Sequence, residues 1–184
     1  MIKFFCITGM PGAGKSVVAE AAKSLGLKVI VMGDIIREEA KARNIKQTPE
    51  SLRELMIKLR NEEGLDVIAK RCLKKISNEK IIVIEGVRSL EELEYFKKFG
   101  SVCLIAVHAS PKTRFNRLIK RNREDDPKDF KTFVERDMTE LRIGIGSVIA
   151  LADKVFVNEG TIEELIEAAK EFFKREINEC KSSC

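Results

Sequence analysis

Tryptophan is absent from this chain of 184 residues, and there is one tyrosine, one histidine and one glutamine. With so few Trp and Tyr rings to alternate with cations, base stacking along a nucleic acid strand has little to work with, and DNA is not expected as a partner. No apolar run approaches the roughly 20 residues that span a bilayer, so no membrane segment is expected. The opening residues run straight into a glycine motif, too early for a secretory leader. Cys6, Cys72, Cys103, Cys180 and Cys184 are odd in number and lack CxxC spacing. That argues against a disulfide framework or a structural metal and for reduced thiols in a cytoplasm. Charge of one sign is not strongly in excess either: 34 Lys and Arg face 29 Asp and Glu, a net +5. Spread along the chain, this suits small anionic molecules as well as nucleic acid.

What is present is a single domain's worth of core, 44% hydrophobic against 34% charged. Short apolar runs at Ile2–Thr8, Lys28–Met32, Ile81–Ile84, Val102–Val107 and Val155–Val157 read as buried strands. Amphipathic patterns at about 15–25, 34–43, 50–76, 89–98, 111–121, 128–142 and 161–179 read as helices, with a break near Gly64. Strands alternating with helices predict an α/β, three-layer fold: a five-stranded parallel sheet with helices on both faces. No linker is visible, so the core is expected from 1–32, 77–116 and 137–184. A helical insert at about 33–76 and a short lid at about 117–136 follow strand ends or crossover helices, at the edge where open α/β sheets bind ligands.

The strongest signal is Gly9-Met10-Pro11-Gly12-Ala13-Gly14-Lys15-Ser16, which fits G-x-x-x-x-G-K-[ST] between a strand and a helix. Glycines there turn backbone N–H groups toward phosphate oxygens, and the helix adds the positive end of its dipole. Lys15 is expected to reach the β- and γ-phosphates of ATP, and the Ser16 hydroxyl to ligate Mg²⁺. Glu85, ending the strand Ile81–Ile84 ahead of Gly86 and Arg88, supplies the acid expected to hold a magnesium-bound water. An ordinary solvated strand end is the plainer reading of Glu85.

The second cluster is Gly33-Asp34-x-x-Arg37 after the second strand. Asp34 reads as a helix cap with Arg37 in the first turn, where the dipole disfavours a cation unless an anion is bound. Arg114, Arg117 and Arg121 recur at helical spacing and are open to a reading as a solvated face. His108 follows a buried strand and reads as structural.

Gly33-Asp34-x-x-Arg37 together with Glu85-Gly86-x-Arg88 resembles the adenylate kinase family of nucleoside monophosphate kinases. The segment Arg117-x-x-x-Arg121-x-Arg123, then Arg136, resembles that family's lid. The resemblance implies a P-loop kinase in which Gly33, Asp34, Arg37, Gly86 and Arg88 bind the acceptor, with Arg37 and Arg88 gripping its phosphate. It implies that Arg117, Arg123 and Arg136 neutralise charge on the transferring group. Met32 stands where the family has Thr near the AMP base. The ending Asp153–Leu165 is more similar to dephospho-coenzyme A kinases, which implies that the loop carrying Asn158 lies against the ATP adenine. The implied reaction is transfer from ATP to a nucleoside monophosphate, with AMP the first choice. Dephospho-coenzyme A kinase and a regulatory AMP-binding or RNA-associated ATPase are the alternatives.

Overall fold

The computed structural model describes residues 2–123 and 126–182. Its centre is β1 (Ile2–Thr8), a strand apolar on both faces because both are covered. The alternation of side chains sends Phe4 and Cys6 into one core and Phe5 and Ile7 into the other. Phe4 meets Phe96 at 5.3 Å between ring centroids, and Phe5 meets Phe173 at the same distance on the opposite side.

The remaining elements follow in alternation: α1 (Lys15–Ser24), β2 (Lys28–Val31), α2 (Met32–Ala42), α3 (Pro49–Glu63), α4 (Val67–Leu73), β3 (Ile81–Glu85), α5 (Leu90–Lys97) and β4 (Gly100–His108). They continue with α6 (Pro111–Arg121), α7 (Phe130–Ile143), α8 (Ile145–Ala150), β5 (Lys154–Val157) and α9 (Ile162–Ser182). All strands are parallel, in the order β2-β3-β1-β4-β5. Helices α1 and α9 cover one face, while α2 to α5 and α8 pack on the other.

Two elements differ from the sequence reading. Met32 opens α2 instead of ending β2, because pairing with β3 stops at Val31 opposite Glu85 and the buried Met32 side chain joins the core. Helix α8 lies outside the helical patterns read from the sequence; Gly144, at φ +112°, ends α7 and starts α8. The expected break at Gly64 lies between α3 and α4, at φ +100°.

Register sets the functional edge. Val31 and Ile7 both lie opposite Glu85, so β2, β3 and β1 end side by side. The segments after them, 32–37, 86–88 and 9–16, therefore emerge at one place.

Candidate active site

The loop after β1 enters α1 through Gly14, in the left-handed region at φ +107°, where a Cβ would collide with the Asn158 side chain. No side chain caps α1 and no acid lies in its first turn, so its leading N–H groups are left for an anion. The Ser16 side chain stands exposed in that first turn. Lys15 folds back over the loop, and its Nζ donates to the carbonyls of Gly9 (2.6 Å) and Met10 (3.2 Å). Desolvation, then the nearby Arg88, lowers its ammonium to a pKa of about 8; Glu140 and Glu85 oppose the shift.

The adjoining loop is fastened to the same base. Gly86 N and Val87 N donate to Ile7 O at 2.8 and 3.2 Å, and the buried Thr8 hydroxyl donates to Val87 O at 2.8 Å. Glu85 is raised above the ordinary carboxylate range by burial, with Lys15 opposing and Asp34 reinforcing that shift. Arg88 donates from Nε to the Glu140 carboxylate at 2.8 Å. Burial pushes Glu140 upward, but Arg88, Lys15 and Arg136 outweigh it and hold the acid below its usual range. Lys15, Glu85, Arg88, Arg136 and Glu140 thus form one electrostatic cluster, with Asp34 and Arg123 acting on Glu85.

Beside the cluster is a cavity of about 310 Å³ between α2, α3 and α7, lined by Arg37, Arg53, Met56, Arg88, Arg136 and Glu140 among others. Gly33 also borders it. Asp34 is not the helix cap that its sequence position suggested: α2 begins at Met32 with Val31 as its cap, and Asp34 pairs with Arg37 at 2.7 Å on the surface. Arg37 is accordingly past the first turn and already partnered, so helix-dipole repulsion no longer argues for a bound anion. The cavity itself is lined by Arg37, Arg53, Arg88, Lys128 and Arg136 together with Glu50, Asp126, Glu135 and Glu140. Met32, buried in the core, is not available to a base.

The arginines of α6 are all engaged, although Arg121 stays exposed. Arg114, buried, forks onto Asp137 at 2.9 and 2.6 Å and donates to Pro11 O at 3.1 Å, tying the phosphate loop to α7. Arg117 donates to Asn158 O at 3.0 Å and to its Oδ1 at 3.2 Å, while Asn158 Nδ2 donates to Ala13 O at 2.8 Å. Arg117 and Asn158 are therefore joined to each other under the phosphate loop, apart from the cavity. Arg121 forks onto Asp126, which also accepts from Arg123 N at 3.0 Å and lies 3.6 Å from Arg136. Arg136 and Asp126 border the cavity. The exposed His108 contributes a backbone carbonyl, accepting from Asn158 N at 2.7 Å. Glu140, Arg53 and Asp137 were missed by sequence reasoning, since nothing local marks them, and Arg114 was read only as part of a solvated face because its partner Asp137 lies on another helix.

The described residues contain no group of three or more His, Cys, Asp or Glu able to hold a metal ion. Ser16 and Glu85 offer hard oxygen donors, a set that suits Mg²⁺ when phosphate oxygens and water complete its shell. No helix among the described residues is long and apolar enough to cross a membrane.

A UPF0200 protein of Hyperthermus butylicus is 48% identical over 171 residues, spanning 92% of each chain. A gluconokinase from Sinorhizobium meliloti superposes with a TM-score of 0.60 at 17% identity, covering 98% of this chain and 97% of its own. Shikimate kinase from Acinetobacter baumannii, in complex with shikimate, gives 0.58 at 14% identity, with 96% and 94% covered. These two likenesses are of fold: a five-stranded parallel sheet with helices on both faces, as in small P-loop kinases. A family model described as an AAA domain matches residues 8–133, more than half of the length. The chain belongs to that AAA domain family and to the UPF0200 proteins.

Proposed function

We propose that the chain is an ATP- and Mg²⁺-dependent phosphotransferase whose acceptor is a nucleoside monophosphate, AMP first. The observation that carries this reading is the convergence of Arg37, Arg88 and Arg136 on one cavity beside Lys15. A phosphate acceptor is already anionic and needs no base. It needs cations to hold it in line against the γ-phosphate, and catalysis is then positioning and electrostatics.

In this reading Gly9 to Ser16 cradle the ATP phosphates, and Asn158 with Arg117 supports that loop from below. Gly33, Asp34, Arg37, Gly86 and Arg88 form the acceptor side, on an insert at about 33–76. Arg123 and Arg136 belong to a lid at about 117–136 that closes and excludes water. Ser16 and Glu85 would hold Mg²⁺, Glu85 through water; the ion would neutralise charge on the β- and γ-phosphates. A small nucleotide is the partner in this proposal, in a cytoplasmic setting.

A hydroxyl acceptor, as in a dephospho-coenzyme A kinase, is the second reading. Asp34 favours it, since a carboxylate near the cavity could serve as a base. A regulatory or RNA-associated ATPase is a third. One assay separates them: ATP and Mg²⁺ with AMP, other nucleoside monophosphates, dephospho-coenzyme A, gluconate and shikimate, resolved by mass. A nucleoside diphosphate product supports the proposal. A phosphorylated hydroxyl supports the second reading, and ADP without a phosphorylated acceptor supports the third.

A further inference from the structure

Glu92 is a fully buried acid at the start of α5, where it forms a capping box with Ser89. In such a box the carboxylate serves mainly the N–H of the capping residue. Here that contact is the long one: Glu92 Oε2 accepts from Ser89 N at 3.4 Å but from Arg88 N at 2.8 Å. Its other oxygen accepts from Arg60 Nη2 at 2.6 Å. Arg60 comes from α3 and is 6% exposed, and its Nε and Nη1 make no hydrogen bond among the described residues.

A buried ion pair with two unpartnered donors is a poor way to stabilise a core, where apolar side chains of similar volume do as well or better. What the pair supplies is location. Arg88 is held at both ends, its backbone by Glu92 and its guanidinium by Glu140. The same contact fixes α3, whose Arg53 and Met56 line the cavity, relative to that backbone.

We propose that Arg60 is a positioning residue of the acceptor site, setting Arg88 through Glu92 and so coupling α3 to the arginine that faces the acceptor. This rests on the reading of Arg88 as an acceptor ligand. A brace of the core alone would change stability without changing affinity.

The test uses the full chain with calorimetric titration of AMP and of ATP, and thermal melts, for Arg60→Met, Arg60→Lys, Arg88→Ala and the Arg60→Met/Arg88→Ala double variant. Residues sharing one network couple by factors from about two to about a hundred and fifty. Arg60→Met is expected to weaken AMP about tenfold, within that range, and to leave ATP unchanged. Arg60→Lys keeps a cation beside Glu92 and should recover part of the loss. In the Arg88→Ala background, Arg60→Met should add nothing further. Should Arg60→Met fail to fold, a smaller loss of AMP affinity in Arg60→Lys carries the same information. AMP binding that is unchanged in the Arg60 variants, or that falls by the same factor with and without Arg88, overturns the inference alone. Normal AMP binding by Arg88→Ala overturns the acceptor reading, and the inference with it.

Discussion

Glu140 on α7 holds Arg88 in a 2.8 Å ion pair at the wall of the cavity between α2, α3 and α7, with the acid side chain 10% exposed. The contact uses the guanidinium Nε. In the proposed function, an acceptor phosphate in the cavity would meet the remaining N–H groups of Arg88 beside a negative charge.

Glu140→Gln removes that charge and keeps the shape. The variant should bind AMP several-fold more tightly and turn over more slowly, because the anion gains attraction while Arg88 loses its alignment. Calorimetric AMP titration with steady-state rates checks this; weaker AMP binding would mean that alignment outweighs repulsion.

Lys15→Ala should leave the melt nearly unchanged and cost on the order of 10²-fold or more in phosphoryl transfer, the loss of a contact that strengthens in the transition state. Near-normal turnover by a folded variant would end the kinase proposal.

Lys15 also predicts a pH signature. Its pKa is lowered to about 8 in the free protein, and bound phosphates would raise it. Below pH 8 Lys15 is protonated with and without ATP, so affinity is flat. Above pH 8 binding must take up a proton, and affinity falls as pH rises. Titrations near pH 9 in two buffers of different ionisation heat should report proton uptake by the parent and none by Lys15→Met. Equal uptake by both would remove Lys15 as the source.

Asp34→Asn distinguishes the acceptors. With a phosphate acceptor, the change breaks one exposed pair with Arg37, worth about 0–1 kcal/mol, and activity should fall roughly tenfold or less. With a hydroxyl acceptor, loss of a general base costs about 10²–10⁴-fold. Turnover of the variant, with retained binding as control, decides between the readings; the smaller loss is expected.

Asp137→Ala leaves the buried Arg114 without its forked partner. Removing one side of a buried pair costs roughly 3 kcal/mol or more, equivalent to a fall of about 6–12 °C in Tm at this size. An unchanged melt would show that Pro11 O and Ala109 O, which accept from Arg114 at 3.1 and 3.2 Å, suffice to hold it.

What was legible in the sequence was local. The phosphate loop, the strand ends that carry Glu85 and Arg88, and the break at Gly64 are written in consecutive residues, and the fold follows from the alternation of apolar runs with amphipathic ones. The pairs that shape the site are not consecutive. Arg114 finds Asp137, Arg88 finds Glu140 and Arg60 finds Glu92 only after the sheet has assembled. An acid such as Glu140, on a helix rich in other acids, carries no local mark of its burial. Asp34 misled for the opposite reason: its local pattern fits a cap, but the end of strand pairing at Val31 starts the helix two residues earlier.

The central strand is also the first to be synthesised. Lys3 of β1 pairs with Ile81, and Ile2 with Gly100, so β1 has no strand beside it until β3 exists and gains its second only with β4. At about 5–20 residues per second, translation leaves this apolar strand without partners for roughly 4–16 s. During that interval Phe4, Phe5 and Ile7 depend on other protection from aggregation, such as the ribosome surface, a chaperone or early collapse onto α1. Slowing synthesis between β1 and β3 should therefore lower the soluble yield more than slowing it after β4.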